Sequence, residues 1–408
     1  MANKETAVLH VPFDRPDAYH ALNMPLYHSV AFEFDNAEEM ELAFTGRSAG
    51  HAYSRITNPT VQYFEKRVQS LTGALSVTAM NTGMSAISNT LITIAQAGSN
   101  IVTSNHLFGN TMSLLKNVLG PFGVEIRTCD LTRPEVVRQH IDANTCAIFL
   151  EIITNPQLEV ADLSALGALG KELGVPLVAD STVIPFSHYS AKSLGVNIEV
   201  LSSTKYLAGG GTSLGGLVID YGNFNWKNSK KLGELAQQFK AFAFTKKLRG
   251  DVYTNLGCYM TPHVAYMQTL GLETLNLRYK AQAENTLALA KKLKQTEGIV
   301  SVNYPALPDH PFHEVAKRQF GDYAGAVLTF SLESREACFA FLNKLKLVRR
   351  ATNLFENKSL AIHPASTIFG NFTPEQLEEM NVDNRVIRLS VGLENVEDVY
   401  QDILQALN

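Results

Sequence analysis

What this chain has little of narrows it first. One tryptophan and four cysteines occur in 408 residues, and Cys129, Cys146, Cys258 and Cys338 show no short paired spacing. That pattern argues against both a zinc site and a disulfide framework, and a reducing cytoplasm suits it. Charge bias is small: 35 Lys and Arg against 39 Asp and Glu leave −4, which gives no electrostatic case for a nucleic-acid partner or an anionic membrane. No uninterrupted apolar run approaches the roughly 20 residues of a membrane-spanning helix. The start, Met1-Ala2-Asn3-Lys4-Glu5-Thr6, lacks the apolar stretch of an export signal. No internal repeat and no low-complexity tract interrupts the chain.

What is present describes an ordinary globular enzyme-sized protein, with 45% hydrophobic and 18% charged residues, and its length favours two domains. Residues 1–57 carry aromatics among Pro12, Pro16 and Pro25 and read as an irregular arm, with a partner subunit as one candidate for what it docks on. From residue 58 to 260, short apolar runs alternate with helical spacings: Ile101-Val102, Val124 to Ile126, Ala147 to Leu150, Pro176 to Ala179 and Ile198 to Leu201. The alternation implies α/β architecture, a mostly parallel sheet covered on both faces. Residues 261–408 read as long helices followed by separated strands, a smaller α/β domain joined to the larger one by a linking helix.

Ser202-Ser203-Thr204-Lys205-Tyr206 follows one of these apolar runs, and Gly209-Gly210-Gly211 and Gly215-Gly216 follow it. Lys205 therefore stands where a strand ends and a loop begins, the place where open α/β sheets hold ligands. Alone, the stretch favours the plainer reading of a surface lysine before a flexible turn. Two further polar residues close consecutive runs, Asn155 after Ala147 to Glu151 and Asp180 after Leu177 to Ala179. In a parallel sheet the three share one edge. An aspartate ending a buried run needs a cationic partner, because an unpaired buried charge costs about 3–5 kcal/mol. A protonated pyridine nitrogen is one such partner, and a Schiff-base lysine, a carboxylate on a pyridinium and a phosphate cradle together are the requirements of pyridoxal phosphate. Thr82, which can cap a helix opening at Gly83-Met84, offers free N–H groups for an anion. A dinucleotide-binding module fits less well: no GxGxxG follows the first strand, and the glycines come after the lysine rather than before it.

Lys205 in Ser-Ser-Thr-Lys-Tyr, Asp180 in Val-Ala-Asp-Ser-Thr, Tyr53-Ser-Arg55-Ile-Thr-Asn-Pro-Thr, Asn155-Pro156, His363-Pro-Ala-Ser-Thr and Arg388-Leu-Ser-Val-Gly-Leu-Glu394 occur in the order found in the cysteine and methionine metabolism family of pyridoxal phosphate enzymes, which the chain resembles from about residue 53 to 394. The resemblance implies the fold type I architecture, with a large domain on a seven-stranded sheet. It implies that Lys205 holds the cofactor and moves protons at the substrate α and γ carbons, that Asp180 pairs with the pyridine nitrogen, and that Asn155 reaches the ring hydroxyl and lies beside the substrate. Gly83, Met84, Ser202 and Thr204 would hold the phosphate, together with Tyr53 and Arg55 from a neighbouring subunit of a homodimer or homotetramer. Arg388 would take the substrate α-carboxylate in a planar fork, with Ser359 assisting. No metal is implied. His363 reads as a structural residue at a loop.

Two departures bear on the reaction. The family's ring-stacking tyrosine is replaced by Phe108, in Phe108-Gly109-Asn110-Thr111. The stacking face survives, but the hydroxyl, a general acid of the kind worth about 10² to 10⁴ in rate, does not. A thiolate leaves poorly without it, whereas acetate is a weak base and leaves unaided. Lys358 stands where the lyases and cystathionine enzymes tend to have an acidic residue, and a lysine cannot receive the distal ammonium of cystathionine. Asn110 replaces a cysteine typical of methionine γ-lyase, and Ser181 carries no reading. The expectation is γ-replacement on O-acetylhomoserine by sulfide or a thiol, as in an O-acetylhomoserine sulfhydrylase. The alternatives are a methionine or homocysteine γ-lyase and, further off, cystathionine γ-synthase or lyase.

Overall fold

The computed structural model describes residues 4–13 and 17–408; of the expected arm over 1–57, residues 1–3 and 14–16 lie outside the described residues. Seven strands form the larger sheet: β1 (Ser76–Met80), β2 (Asn100–Thr103), β3 (Glu125–Thr128), β4 (Thr145–Glu151), β5 (Leu177–Asp180), β6 (Ile198–Leu201) and β7 (Gly216–Asp220), in the spatial order β1-β7-β6-β5-β4-β2-β3. From β3 to β6 every pairing is parallel. Alternate residues of one strand serve opposite faces, so Leu150 and Ala179 join one apolar cluster while Phe149 and Val178 join the other. This is why these strands read as continuous apolar runs.

β7 runs antiparallel to both neighbours. A parallel return needs a crossover, usually a helix; residues 202–215 instead make a glycine-rich loop with no helix, and the strand comes back reversed. That loop carries Lys205.

The sequence reading contained no strand at β1 and no helix between Trp226 and Thr261. β1 exists because it zips along β7, Ser76 opposite Asp220 through Met80 opposite Gly216, a pairing made across the whole large sheet. Helices Gly233–Phe239 and Ala243–Lys247 and the wider turn Leu248–Tyr253 are too short and too interrupted to print a helical period. The arm contains two short helices, Lys4–Leu9 and Ala37–Phe44.

Helices Pro262–Glu273 and Leu275–Leu293 lead to a second sheet of β8 (Ser301–Asn303), β9 (Val327–Ser331), β10 (Arg349–Arg350), β11 (Leu360–Ile362) and β12 (Val386–Ser390), ordered β10-β11-β12-β9-β8. One apolar cluster runs continuously from the large sheet to Phe330, Ile387 and Leu389 of the second, so the two sheets share a core. Among the described residues no helix is long and apolar enough to cross a membrane.

Candidate active site

A cavity of about 800 Å³ opens at the edge where the parallel strands end, walled by the N-terminus of helix Gly83–Ile94, the ends of β4 and β5, the loop after β6, residues 352–354, and Arg388 of β12. Among the described residues, Lys205 is the only amine in its lining. Burial, and next the Arg388 charge, pull the Lys205 amine down to about 8, and its Nζ donates to Asn353 Oδ1.

Asp180 closes β5 and lines the same cavity. Its Oδ1 accepts both the N–H and the hydroxyl of Thr182, at 2.9 and 2.6 Å, and burial raises its pKa against those bonds. Register places Glu151 of β4 directly beside it. Burial, and then the negative charge of Asp180, push Glu151 up to about 8 even though Phe108 N–H donates to it at 2.6 Å. A third carboxyl, Glu199, lies fully buried on β6, accepting the hydroxyls of Tyr189 and Tyr221.

The helix Gly83–Ile94 begins at the cavity, capped by Thr82 Oγ1 accepting from Ser85 N–H at 3.0 Å. Position 83 must be glycine, because a Cβ there would stand 2.6 Å from the Ser202 Cβ. Thr82, Gly83, Met84, Ser202 and Thr204 thus surround one end of the cavity, an anion site of backbone N–H groups and hydroxyls. At the other end Arg388 is 2% exposed. It donates to Asn155 Oδ1 at 3.3 Å and to Thr352 O at 2.9 Å, while its Nε has no partner.

Set beside known proteins, the whole of this chain finds relatives. The model for the Cys/Met metabolism PLP-dependent enzymes matches residues 5–408. The chain belongs to that family. It is 37% identical to an O-acetyl-L-homoserine sulfhydrylase of Thermus thermophilus over 99% of both chains, and 36% identical to an L-methionine gamma-lyase of Fusobacterium nucleatum over 95% of this chain and 94% of that one. A Campylobacter jejuni structure described as a putative O-acetylhomoserine (thiol)-lyase, carrying a pyridoxyl-lysine monophosphate, superposes with TM-score 0.91 at 31% identity over 100% of both chains. An O-acetylhomoserine sulfhydrylase structure of Wolinella succinogenes is 45% identical, with TM-score 0.77, over 86% of this chain and 98% of that one.

As in other Cys/Met metabolism enzymes the cofactor is pyridoxal phosphate, and the residues present fit it. The anion cradle at Gly83 and Met84 suits a phosphate, Asp180 Oδ2 is free of protein donors, and Arg388 is a buried cation with an unused N–H. Burying such a charge without an anion is costly, and a ligand carboxylate fits this wall chemically.

Of the residues singled out from sequence, the structure brings Lys205, Asp180, Asn155, Gly83, Met84, Ser202, Thr204, Phe108 and Arg388 to one cavity. Ser359, expected to assist Arg388, is not among its walls: fully buried, its hydroxyl donates to Glu394 at 2.9 Å and accepts from Gly392 N–H at 2.9 Å. Lys358 is exposed and also lies outside the lining, so it does not shape this chain's cavity. Tyr53 and Arg55 lie outside this cavity's lining, Arg55 donating to Thr254 O at 2.7 Å. The motif around them docks the arm: Asn58 caps helix Pro59–Thr72 and donates to Tyr27 O at 2.9 Å. His363 is held by Ser366 Oγ at 2.8 Å and Asn384 O at 2.7 Å. Sequence reasoning missed Glu151, Thr182 and Asn353. Glu151 carried the same signal as Asp180, a carboxylate ending an apolar run, whereas nothing local marked Asn353.

Proposed function

We propose that this enzyme performs γ-replacement on an O-acylated homoserine, joining O-acetylhomoserine with sulfide or a small thiol to give homocysteine or methionine. The observation that carries the reading is Phe108 in the cavity wall: an apolar ring stands where a thiolate leaving group would need a proton donor. The sulfhydrylases among its relatives support it.

Arg388 receives the substrate α-carboxylate on its free Nε edge, and Asn155, already bonded to Arg388, sets the angle of that fork. Gly83, Met84, Ser202 and Thr204 bind the phosphate, and Asp180 holds a proton on the pyridine nitrogen. Pyridoxal phosphate supplies the carbonyl carbon to which lysine and substrate amines bond and an electron-poor ring that draws charge from the substrate α carbon. With its pKa lowered to about 8, Lys205 is partly unprotonated near neutral pH, so it can take the α proton and then a β proton, whose electrons help expel the γ substituent, and can give protons back to those two carbons after the new bond forms. Acetate departs from the γ carbon with the C–O electrons, a weak base needing no acid. Sulfide then forms the C–S bond there.

Active sites shared between two copies, in a homodimer or homotetramer, complete the reading. Tyr53 is 39% exposed and Arg55 lies beside it, both outside their own cavity, on an arm that exposes Tyr19, Leu22 and Phe44. The four cysteines are free thiols, which supports a cytoplasmic setting.

Incubation with O-acetylhomoserine and sulfide should yield homocysteine and acetate. No homocysteine under conditions where methionine is rapidly cleaved would overturn the proposal in favour of γ-elimination.

A further inference from the structure

We propose that Asn353 and Glu356 form a relay that holds the Lys205 amine whenever it is not bonded to the cofactor, making Asn353 the positioning residue for the free lysine. The proposal rests on reading Lys205 as the cofactor-bonding amine.

The Lys205 ammonium donates to Asn353 Oδ1, and Asn353 Nδ2 donates in turn to Glu356 Oε1 at 2.6 Å. A carboxylate only accepts, so Glu356 dictates which end of the amide faces it. The oxygen is then the end left for the lysine.

The chain between these residues is bent to bring them together. Phe355 adopts φ +58°, a left-handed conformation unfavourable for a bulky side chain and one that persists only where its surroundings enforce it. Ser390 Oγ accepts its N–H at 2.7 Å, and its ring stacks on Tyr206 at 4.2 Å and 10°. Tyr206 adjoins Lys205, so the stack ties the bend to the lysine's own backbone. On the far side Gly211, at φ +65°, lies so close that any side chain there would run into the Glu356 carboxylate. The glycine run therefore has a second purpose, closing over Glu356.

Other charges in the neighbourhood are Arg388, which disfavours the protonated lysine, and the carboxyls of Asp180 and Glu151 in the same cavity. Against Arg388, the relay favours the ammonium, because an amide oxygen binds a charged donor more strongly than a neutral one. It also parks the amine inside the cavity, where it can reach a carbonyl carbon without a search of rotamers.

The test uses cofactor-free protein. Trace acetylation with acetic anhydride, followed by mass spectrometry of the peptide containing Lys205 across the alkaline range, reports both the pKa and the reactivity of that amine. Asn353→Ala should lower the pKa by about one unit. Glu356→Gln, nearly isosteric and so a guard against misfolding, should lower it less, and the double variant slightly more than Asn353→Ala alone, because the Glu356 charge also favours the ammonium directly. Asn353→Asp, which restores the acceptor, should bring the pKa back to the starting value or above it. Capture of added pyridoxal phosphate, followed by visible absorbance, should slow several-fold in Asn353→Ala. An unchanged Lys205 profile and unchanged capture in both single variants would overturn the relay. Failure to recover Lys205 as the borohydride-reduced pyridoxyl-lysine in the unaltered protein would instead overturn the reading of Lys205 beneath it.

Discussion

Glu151 provides the sharpest test of the electrostatics at the floor of the cavity. Its carboxyl is raised from an ordinary 4.5 to about 8, chiefly by burial and then by Asp180. In cofactor-free protein the folded state therefore keeps a proton that the unfolded chain releases between those two values. Stability is complete below pH 4.5, falls as pH rises, and reaches its full loss near pH 8. At about 1.4 kcal/mol per unit, the penalty at pH 7 is about 3 kcal/mol. Glu151→Gln carries no such penalty, since its amide does not ionise. With an unfolding entropy of roughly 2 cal/mol/K per residue, a chain of this length gains about 3–4 °C in melting temperature at pH 7 relative to the unsubstituted protein. The two should differ at pH 4.5 only by the constant cost of the altered hydrogen bonds from Phe108 and Asn155. Differential scanning calorimetry of both proteins from pH 4.5 to 8 reads the gap. A gap that stays constant, or narrows with rising pH, would refute the argument. Asp180→Asn should shrink the gap by removing the like charge alongside.

Three other outcomes follow from the geometry. Gly83→Val places a side chain 2.6 Å from Ser202 Cβ; overpacking of about 1–3 kcal/mol should weaken pyridoxal phosphate binding by about 5- to 150-fold in a fluorescence titration, with the fold kept. Phe108→Tyr returns a hydroxyl to the cavity and should speed methionine cleavage by about 10²-fold or more, while turnover of O-acetylhomoserine changes far less; equal effects on both would argue against Phe108 as the determinant. Mixing an Arg55→Ala subunit with a Lys205→Ala subunit should regain activity at one site of the pair, and no rescue would argue for a site made within one chain.

Much of the architecture is legible without coordinates. Doubly covered parallel strands cannot avoid printing apolar runs, and the ends of such runs fall on one edge, which is why Asp180, Asn155 and Lys205 were placed together from sequence. β1 was not legible, because its existence depends on β7 arriving antiparallel beside it. The helices at 233–256 were missed because tertiary contacts, rather than amphipathic period, sustain elements that short.

The candidate site divides in the same way. Sequence alone determined the lysine, the aspartate and the glycine-opened helix, each of which depends on a strand or helix ending at that residue. It also determined that position 108 has no hydroxyl. Only the tertiary structure decided which side chains from distant segments reach the cavity. Arg388 enters it while Ser359, just before the neighbouring strand β11, is spent on Glu394 and Gly392. Asn353, unmarked by any local pattern, meets Lys205 across 148 residues. Local order fixes where strands end, but a contact over that separation exists only once the second sheet has packed against the first.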